Sequence, residues 1–423
     1  MHGKKSKAPL APRIGLVLSG GGARGAYEAG ILAYLFGDLT RRAGRMVHFD
    51  IVTGSSVGAI HASYVAAHQQ ETDAGERLAA IWRSLSFDAI FEVGAADLVR
   101  IPWRLLGIGT PPKLPATSNR PARIAGAFDT TRLEQLVLDQ IEWAKIRRNL
   151  ADGSLDALAV TATEIATGRS VVFVDTPTDQ LPVWTRDPYI IARAARIDAS
   201  HTLASAAIPL LFPAVRVGPT YYCDGGLRLN TPLVPALRLG ADRVLIIGLR
   251  HQATAQEQDR MARARETNYG SPTYLAGKTL NALLLDRIET DVDRLRLFNA
   301  ILERGAEVYG DEFLSRINEP IIERRNTPYR IVPDLFLRPS EDLGEIAAKC
   351  LHHQPRSSGV RSWLTRNIAR YAARGTVLEA DLLSYLFFDR CYAQHLIELG
   401  RRDAERVAGQ LLDFLFDAVE VEQ

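Results

Sequence analysis

Ile14-Gly15-Leu16-Val17-Leu18-Ser19-Gly20-Gly21-Gly22-Ala23-Arg24-Gly25 is the stretch on which the fold turns. Its first five residues form a short apolar run bounded by glycines, the pattern of a buried strand. A glycine turn follows, and then apolar residues recur at helical spacing over 26–36 (Tyr27, Ile31, Tyr34, Leu35). The same order returns a little further on. A mostly apolar run at 49–53 breaks at Gly54, and an Ala-rich, helix-competent segment occupies 57–67. Strand, turn, helix, repeated, predicts an α/β fold with a parallel sheet.

Working outward, residues 131–146 read as a helix, opened by Asp129-Thr130-Thr131 with Glu134 placed for a capping box. Runs 157–163, 171–175 and 244–249 read as strands. Five prolines between Ile101 and Ala127 mark a surface loop. Beyond 250 the periodicity is mainly helical, notably over 274–302 and 378–416. One run, 331–337, returns to the sheet as a strand, with Pro333 favouring an edge position. The expected organisation is a disordered basic leader over 1–12, a catalytic α/β domain over 13–250 and a mainly helical extension over 251–423.

Composition narrows the class. Of 423 residues, 47% are hydrophobic and 24% charged, which excludes a disordered chain. The 51 basic and 49 acidic residues leave a net charge of +2, so bulk charge offers no reason to expect nucleic-acid binding. No uncharged run reaches the roughly 18 residues of a bilayer span, and no apolar signal segment follows the leader. A soluble, cytoplasmic protein is the expectation. The cysteines Cys223, Cys350 and Cys391 are far apart, odd in number and outside any CxxC pair. They predict neither a disulfide framework nor a structural zinc site.

Gly54-Ser55-Ser56-Val57-Gly58 matches GxSxG, with Ser56 at the nucleophile position of a strand-to-helix elbow. Gly54 and Gly58 are the small residues such a turn requires. An ordinary helix-capping turn is the competing reading, and the flanking strand and helix favour the elbow. The loop 20–25 can be read as GxGxxG, a dinucleotide fingerprint. That fold wants an acid at the end of the second strand, whereas Asp50 stands at the start of it. The alternative is an oxyanion hole, because successive glycines before a helix present unpaired N–H groups to negative charge. A serine nucleophile also needs a base. None of the histidines sits in an obvious motif, and His61 follows Ser56 by more than one helical turn. Asp224, in Tyr222-Cys223-Asp224-Gly225-Gly226, ends an apolar segment at a tight turn and can accept a proton, although a lone Asp-Gly-Gly by itself reads first as a surface turn.

The glycine loop with Arg24, the elbow and Asp224-Gly225-Gly226, in that order, resemble the patatin-like phospholipase family. The stretch Ala204-Ser205-Ala206-Ala207-Ile208-Pro209-Leu210-Leu211-Phe212-Pro213 also resembles the family sequence just upstream of its acid. The resemblance covers roughly residues 12 to 250. It implies a three-layer α/β/α fold with a mainly parallel sheet and an acyl hydrolase with a Ser–Asp dyad. By position, Ser56 is then the nucleophile and Asp224 the base. Gly20, Gly21 and Gly22 hold the oxyanion with Arg24 nearby, and Gly225 and Gly226 support the acid. Val57 and His61 depart from the family's usual small residue and Asn. No cofactor or metal is implied. The expected substrate is a phospholipid or lysophospholipid, reached by transient contact with a membrane surface. Segment 97–106, which mixes Trp103 and arginines with apolar residues, is the candidate contact. The apolar run 382–388 reads as a helix packed on the catalytic domain or as a dimer contact. Two alternatives remain at this stage: an α/β-hydrolase with a His base, conceivably His251, and a nucleotide-binding protein using loop 20–25.

Overall fold

The computed structural model describes residues 12–86, 90, 113–252, 288–352 and 384–416. It omits 115, 118–120, 125, 127, 179, 183, 185–187, 311 and 326 within those spans, and adds isolated positions between 254 and 263. The basic leader up to 11, the candidate contact segment 97–106, and the parts of the expected helices at 274–287 and 378–383 lie outside the described residues.

Strand β1 (Ile14–Leu18) is fully buried, and so are β2 (Ile51–Ser55) and β8 (Arg243–Ile247). Between them in the chain come β3 (Ala157–Glu164), β4 (Ser170–Asp175), β5 (Ile190–Ala194), β6 (Ala214–Val217) and β7 (Thr220–Asp224); β9 is Asp334–Leu337. The sheet order is β9-β8-β1-β2-β3-β7-β6, with two-residue ladders at Arg123–Ile124 and Lys113–Leu114 extending it. Its first five strands run parallel, while β4, β6 and β7 add antiparallel pairings. The run 331–337 thus supplies an edge strand, and Pro333 falls just before its first residue. The carbonyl of Pro333 still accepts from Val244.

Helices cover both faces. Helix α1 (Gly25–Ala33) continues through a π-helical stretch (Tyr34–Leu39) into one more turn. It shares its side with α2 (Val57–His68) and α3 (Ala74–Ser84). Leu16 and Leu18 pack in that cluster. Val17 points the other way, joining α7 (Leu233–Leu239) and the start of α8 (Ile288–Tyr309). Alternation along one strand therefore divides two cores, as period-two geometry requires.

The remaining helices are α4 (Thr131–Gln140), α5 (Trp143–Ala151), α6 (Ala199–Ser205), α9 (Glu312–Arg325), α10 (Leu343–His352), α11 (Arg390–Arg406) and α12 (Ala408–Phe416). The single helix expected over 131–146 is two, interrupted at Ile141 in an extended conformation. Its expected capping box is absent. Glu134 instead forms a buried ion pair with Arg123 and accepts from Thr130 Oγ1 at 3.2 Å.

Helix α11 joins the core of α1. A Cβ on Gly30 would lie 2.2 Å from the Ile397 carbonyl oxygen, and one on Gly400 would lie 2.3 Å from that of Tyr27. The backbones approach this closely only because both crossing residues are glycine. Tyr27, fully buried, donates to Asp403 Oδ2 at 3.0 Å. One hydrophobic cluster therefore contains Leu16 and Tyr27 together with Leu396, Leu399 and Leu411. The cysteine expectation is corrected: Cys350 on α10 and Cys391 on α11 form a disulfide, with Cα atoms 6.0 Å apart. The packing of α10 on α11 brings together residues that sequence spacing leaves unrelated. Cys223 is free and buried. No helix among the described residues is long and apolar enough to cross a membrane.

Candidate active site

Ser56 ends the turn between β2 and α2 with φ 53° and ψ −125°, a conformation costly for a residue with a side chain. Such strain at a strand–helix turn is the mark of a nucleophile elbow. The neighbours that allow it are small: a Cβ on Gly54 would stand 2.0 Å from the Gly58 carbonyl oxygen. A relay fixes the elbow from the side. The Ser56 N–H donates to Ser205 Oγ at 2.9 Å, and Ser205 Oγ donates to the Thr161 carbonyl at 2.5 Å.

Strand β7 delivers Asp224 to the same point. Ser56 Oγ donates to Asp224 Oδ2 at 2.6 Å, while Asp224 Oδ1 accepts from the Gly226 N–H at 2.7 Å. Gly225 and Gly226 form the tight turn that closes over the acid. Both side chains are buried, Ser56 at 5% exposure and Asp224 at 1%. Burial pushes the Asp224 carboxyl up to about 6, against the pull of its bonds from Ser56 and Gly226. The Cys223 thiol is pushed up to about 12, by burial and then by Asp224, so it stays protonated.

The glycine loop stands beside this pair. A Cβ on Gly20 would lie 3.0 Å from that of Ser56. Three equivalent amide donors were expected there, and the structure corrects this for one of them. The Gly20 N–H is committed to the Asn230 carbonyl at 3.0 Å, and Asn230 Nδ2 returns a bond to the Gly20 carbonyl at 3.1 Å. Among the described residues, Gly21 and Gly22 keep N–H groups with no such commitment. Arg24 is buried and donates from its Nε to Ser384 Oγ at 2.8 Å. Asn230 and Ser205 were not singled out by sequence reasoning. Asn230 carries no local pattern, and Ser205 gave only its membership of the stretch 204–213.

His61 and His251, the two histidines weighed as a base, are engaged elsewhere. Trp82 can only donate, so its Nε1–H at 2.8 Å makes His61 Nε2 an acceptor. The His61 proton then sits on Nδ1, 2.7 Å from the buried Glu28 carboxylate, whose other oxygen accepts from the Ser19 N–H. His251 Nδ1 lies 3.0 Å from the Pro339 carbonyl. Asp50, weighed against a dinucleotide site, accepts from the Ile14 N–H at 2.6 Å and ties the starts of β1 and β2.

Val57, Ile60, Trp82, Leu136, Ile208 and Phe388, together with Ser56, line an apolar pocket. Two groups among the described residues bring metal-ligating side chains together: Cys350, Cys391 and His395, and His68, Glu71 and Glu142. Neither includes Ser56 or Asp224. The sulfurs of the first are bonded to each other, and Glu71 of the second is paired with Arg77 and Lys145.

A protein of Pseudomonas aeruginosa (strain BWHPSA011 / Pa011) described as a cGAMP-activated phospholipase is 30% identical over 223 residues. The match covers 51% of this chain and 53% of that relative, so the chain spans about half the relative's length. Among solved structures, human GIVD cytosolic phospholipase A2 in complex with methyl gamma-linolenyl fluorophosphonate is 13% identical, with TM-score 0.40. That alignment covers 96% of this chain and 58% of the other. VipD from Legionella pneumophila is 12% identical with TM-score 0.33, covering 95% and 67%. The model of the patatin-like phospholipase family matches residues 16–237, which include the glycine loop, the elbow and Asp224. The chain belongs to the patatin-like phospholipase family.

Proposed function

We propose that this protein is a lipid acyl hydrolase in which Ser56 is the nucleophile and Asp224 the base, within a catalytic unit spanning 13–250. The observation that carries the reading is the 2.6 Å bond from Ser56 Oγ to Asp224 Oδ2 at the mouth of an apolar pocket. Ser56 Oγ attacks the ester carbonyl as its proton passes to Asp224. The oxyanion is held by the Gly21 and Gly22 N–H groups, with the N-terminal end of α1 adding its dipole. Collapse expels the alcohol, protonated by Asp224, and leaves an acyl-Ser56. Water then gives Asp224 a proton, attacks the acyl carbon and releases the fatty acid, restoring Ser56 Oγ–H.

The family and the apolar lining support phospholipid or lysophospholipid as substrate, met by transient contact with a membrane surface. The engagement of His61 and His251 disfavours a histidine base. The commitment of Gly20 and Asp50 to internal bonds likewise disfavours a dinucleotide in loop 20–25. The test is hydrolysis of defined phospholipids, lysophospholipids and triglycerides by wild type and Ser56→Ala. Arms with and without cGAMP are included because the Pseudomonas relative is described as activated by it. Ser56→Ala is expected to lose roughly 10³-fold or more in rate while remaining folded. Near-normal hydrolysis by the folded variant defeats the proposal.

A further inference from the structure

The pocket beside Ser56 has a wall drawn from outside the family-matched region 16–237. Residues 384–388 run across the glycine loop as a strap. Ser384 Oγ accepts from Arg24 Nε at 2.8 Å, and the Arg24 guanidinium lies 4.2 Å from the centre of the Tyr385 ring. A Cβ on Gly22 would lie 2.2 Å from the Tyr385 carbonyl oxygen, so the main chain of the strap touches the loop itself. Three residues on, Phe388 lines the pocket together with Gly22 and Ser56.

Its ring stacks on Trp82, with centroids 6.1 Å apart and planes 13° apart. Trp82 is held from behind by its bond to His61, and His61 by Glu28. The strap is anchored at its far end too. The Asp389 carboxylate caps α11, accepting from the Cys391 and Tyr392 N–H groups, and Phe387 packs on Tyr392 with centroids 5.6 Å apart. A phenyl ring stacked on a hydrogen-bonded indole, in a strap tied to the glycine loop at one end and to α11 at the other, is a hard boundary, because close-packed apolar walls yield little to an extra methylene.

We propose that the strap 384–388 forms one wall of the acyl pocket and that Phe388 sets how bulky an acyl chain the enzyme accepts. This rests on the hydrolase reading above and adds a specificity residue to it.

The test measures kcat/KM of the full-length protein on p-nitrophenyl butyrate and p-nitrophenyl laurate, for wild type, Phe388→Ala and Phe388→Trp. Removing the ring is expected to raise the laurate-to-butyrate ratio by about threefold or more, and the indole to lower it. A merely structural lesion reduces both rates together and leaves the ratio alone. Phe388→Leu, a smaller loss of volume, reads the same ratio if the alanine variant fails to fold. A ratio unchanged in the folded variants of an active enzyme overturns this inference and leaves the hydrolase reading standing. No ester hydrolysis by wild type, with or without cGAMP, overturns both.

Discussion

At the scale of the residue, Asp224 carries two opposed demands. In the proposed mechanism its carboxyl must be ionised to take the Ser56 proton, yet burial favours the neutral form and lifts its pKa to about 6. The acid limb of kcat/KM should therefore fall near pH 6, not near the ordinary carboxylate range; a limb below pH 4.5 would contradict this. Stability follows from the same shift. The folded state holds the proton more tightly than the unfolded chain, whose carboxyl titrates near 3.8. Stability thus falls as pH rises from about 4 to about 6 and stays low above that. Asp224→Asn should remove this penalty, raising stability at pH 8 by up to about 3 kcal/mol while abolishing hydrolysis. Urea unfolding at pH 8 checks it, and an unchanged or lowered midpoint would refute it. The sequence pointed to Ser56 through the local pattern of an elbow, and to Asp224 only through the family resemblance, because an Asp-Gly-Gly turn by itself reads as a surface turn. Asn230 and Ser205 were not legible, because their partners, Gly20 and Thr161, lie far away in the chain and only the folded sheet brings them near.

At the scale of the element, the runs read at 14–18, 49–53, 57–67, 157–163, 171–175 and 244–249 are strands or helices with ends displaced by at most two residues, whereas α3, β5, α6, β6 and α7 carried no pattern that was read, and the helix at 26–36 runs on to Ala43. The failures have physical causes. The helix expected over 131–146 divides because Ile141 is pulled into an extended conformation and buried, a tertiary demand that overrides propensity. Glu134 abandons its capping role because the buried Arg123 needs a counter-charge. The crossing of α1 and α11 gave no sequence signal, since isolated glycines in helical patterns look like defects. It yields a sharp prediction. Gly400→Ala places a methyl 2.3 Å from the Tyr27 carbonyl oxygen and should cost about 1–3 kcal/mol. Chemical denaturation measures the loss; a midpoint equal to wild type would mean that the helices can part without penalty.

At the scale of the whole molecule, the C-terminal helices share a core with the strands that carry the site. The fold class was legible because two strand–turn–helix units suffice to imply a parallel sheet. The disulfide was not, because it joins positions 41 residues apart whose helices meet only after folding. Closing a loop of that length should stabilise the oxidised protein by up to about 4 kcal/mol on chain-entropy grounds. Thermal unfolding with and without dithiothreitol reads this, and the expectation fails if Cys350→Ser in the absence of reductant unfolds with wild type.

The seating of α1 against α11 also governs when the protein can be finished. Helix α1 is made well before its cover, which is encoded some 365 residues later. At roughly 5–20 residues per second, that apolar face waits about 20–70 s for its partner. A chain truncated before Arg390 should therefore stay bound to chaperones that recognise exposed apolar helices, whereas the chain that carries α11 should be released; chaperone co-purifying with each of the two measures this.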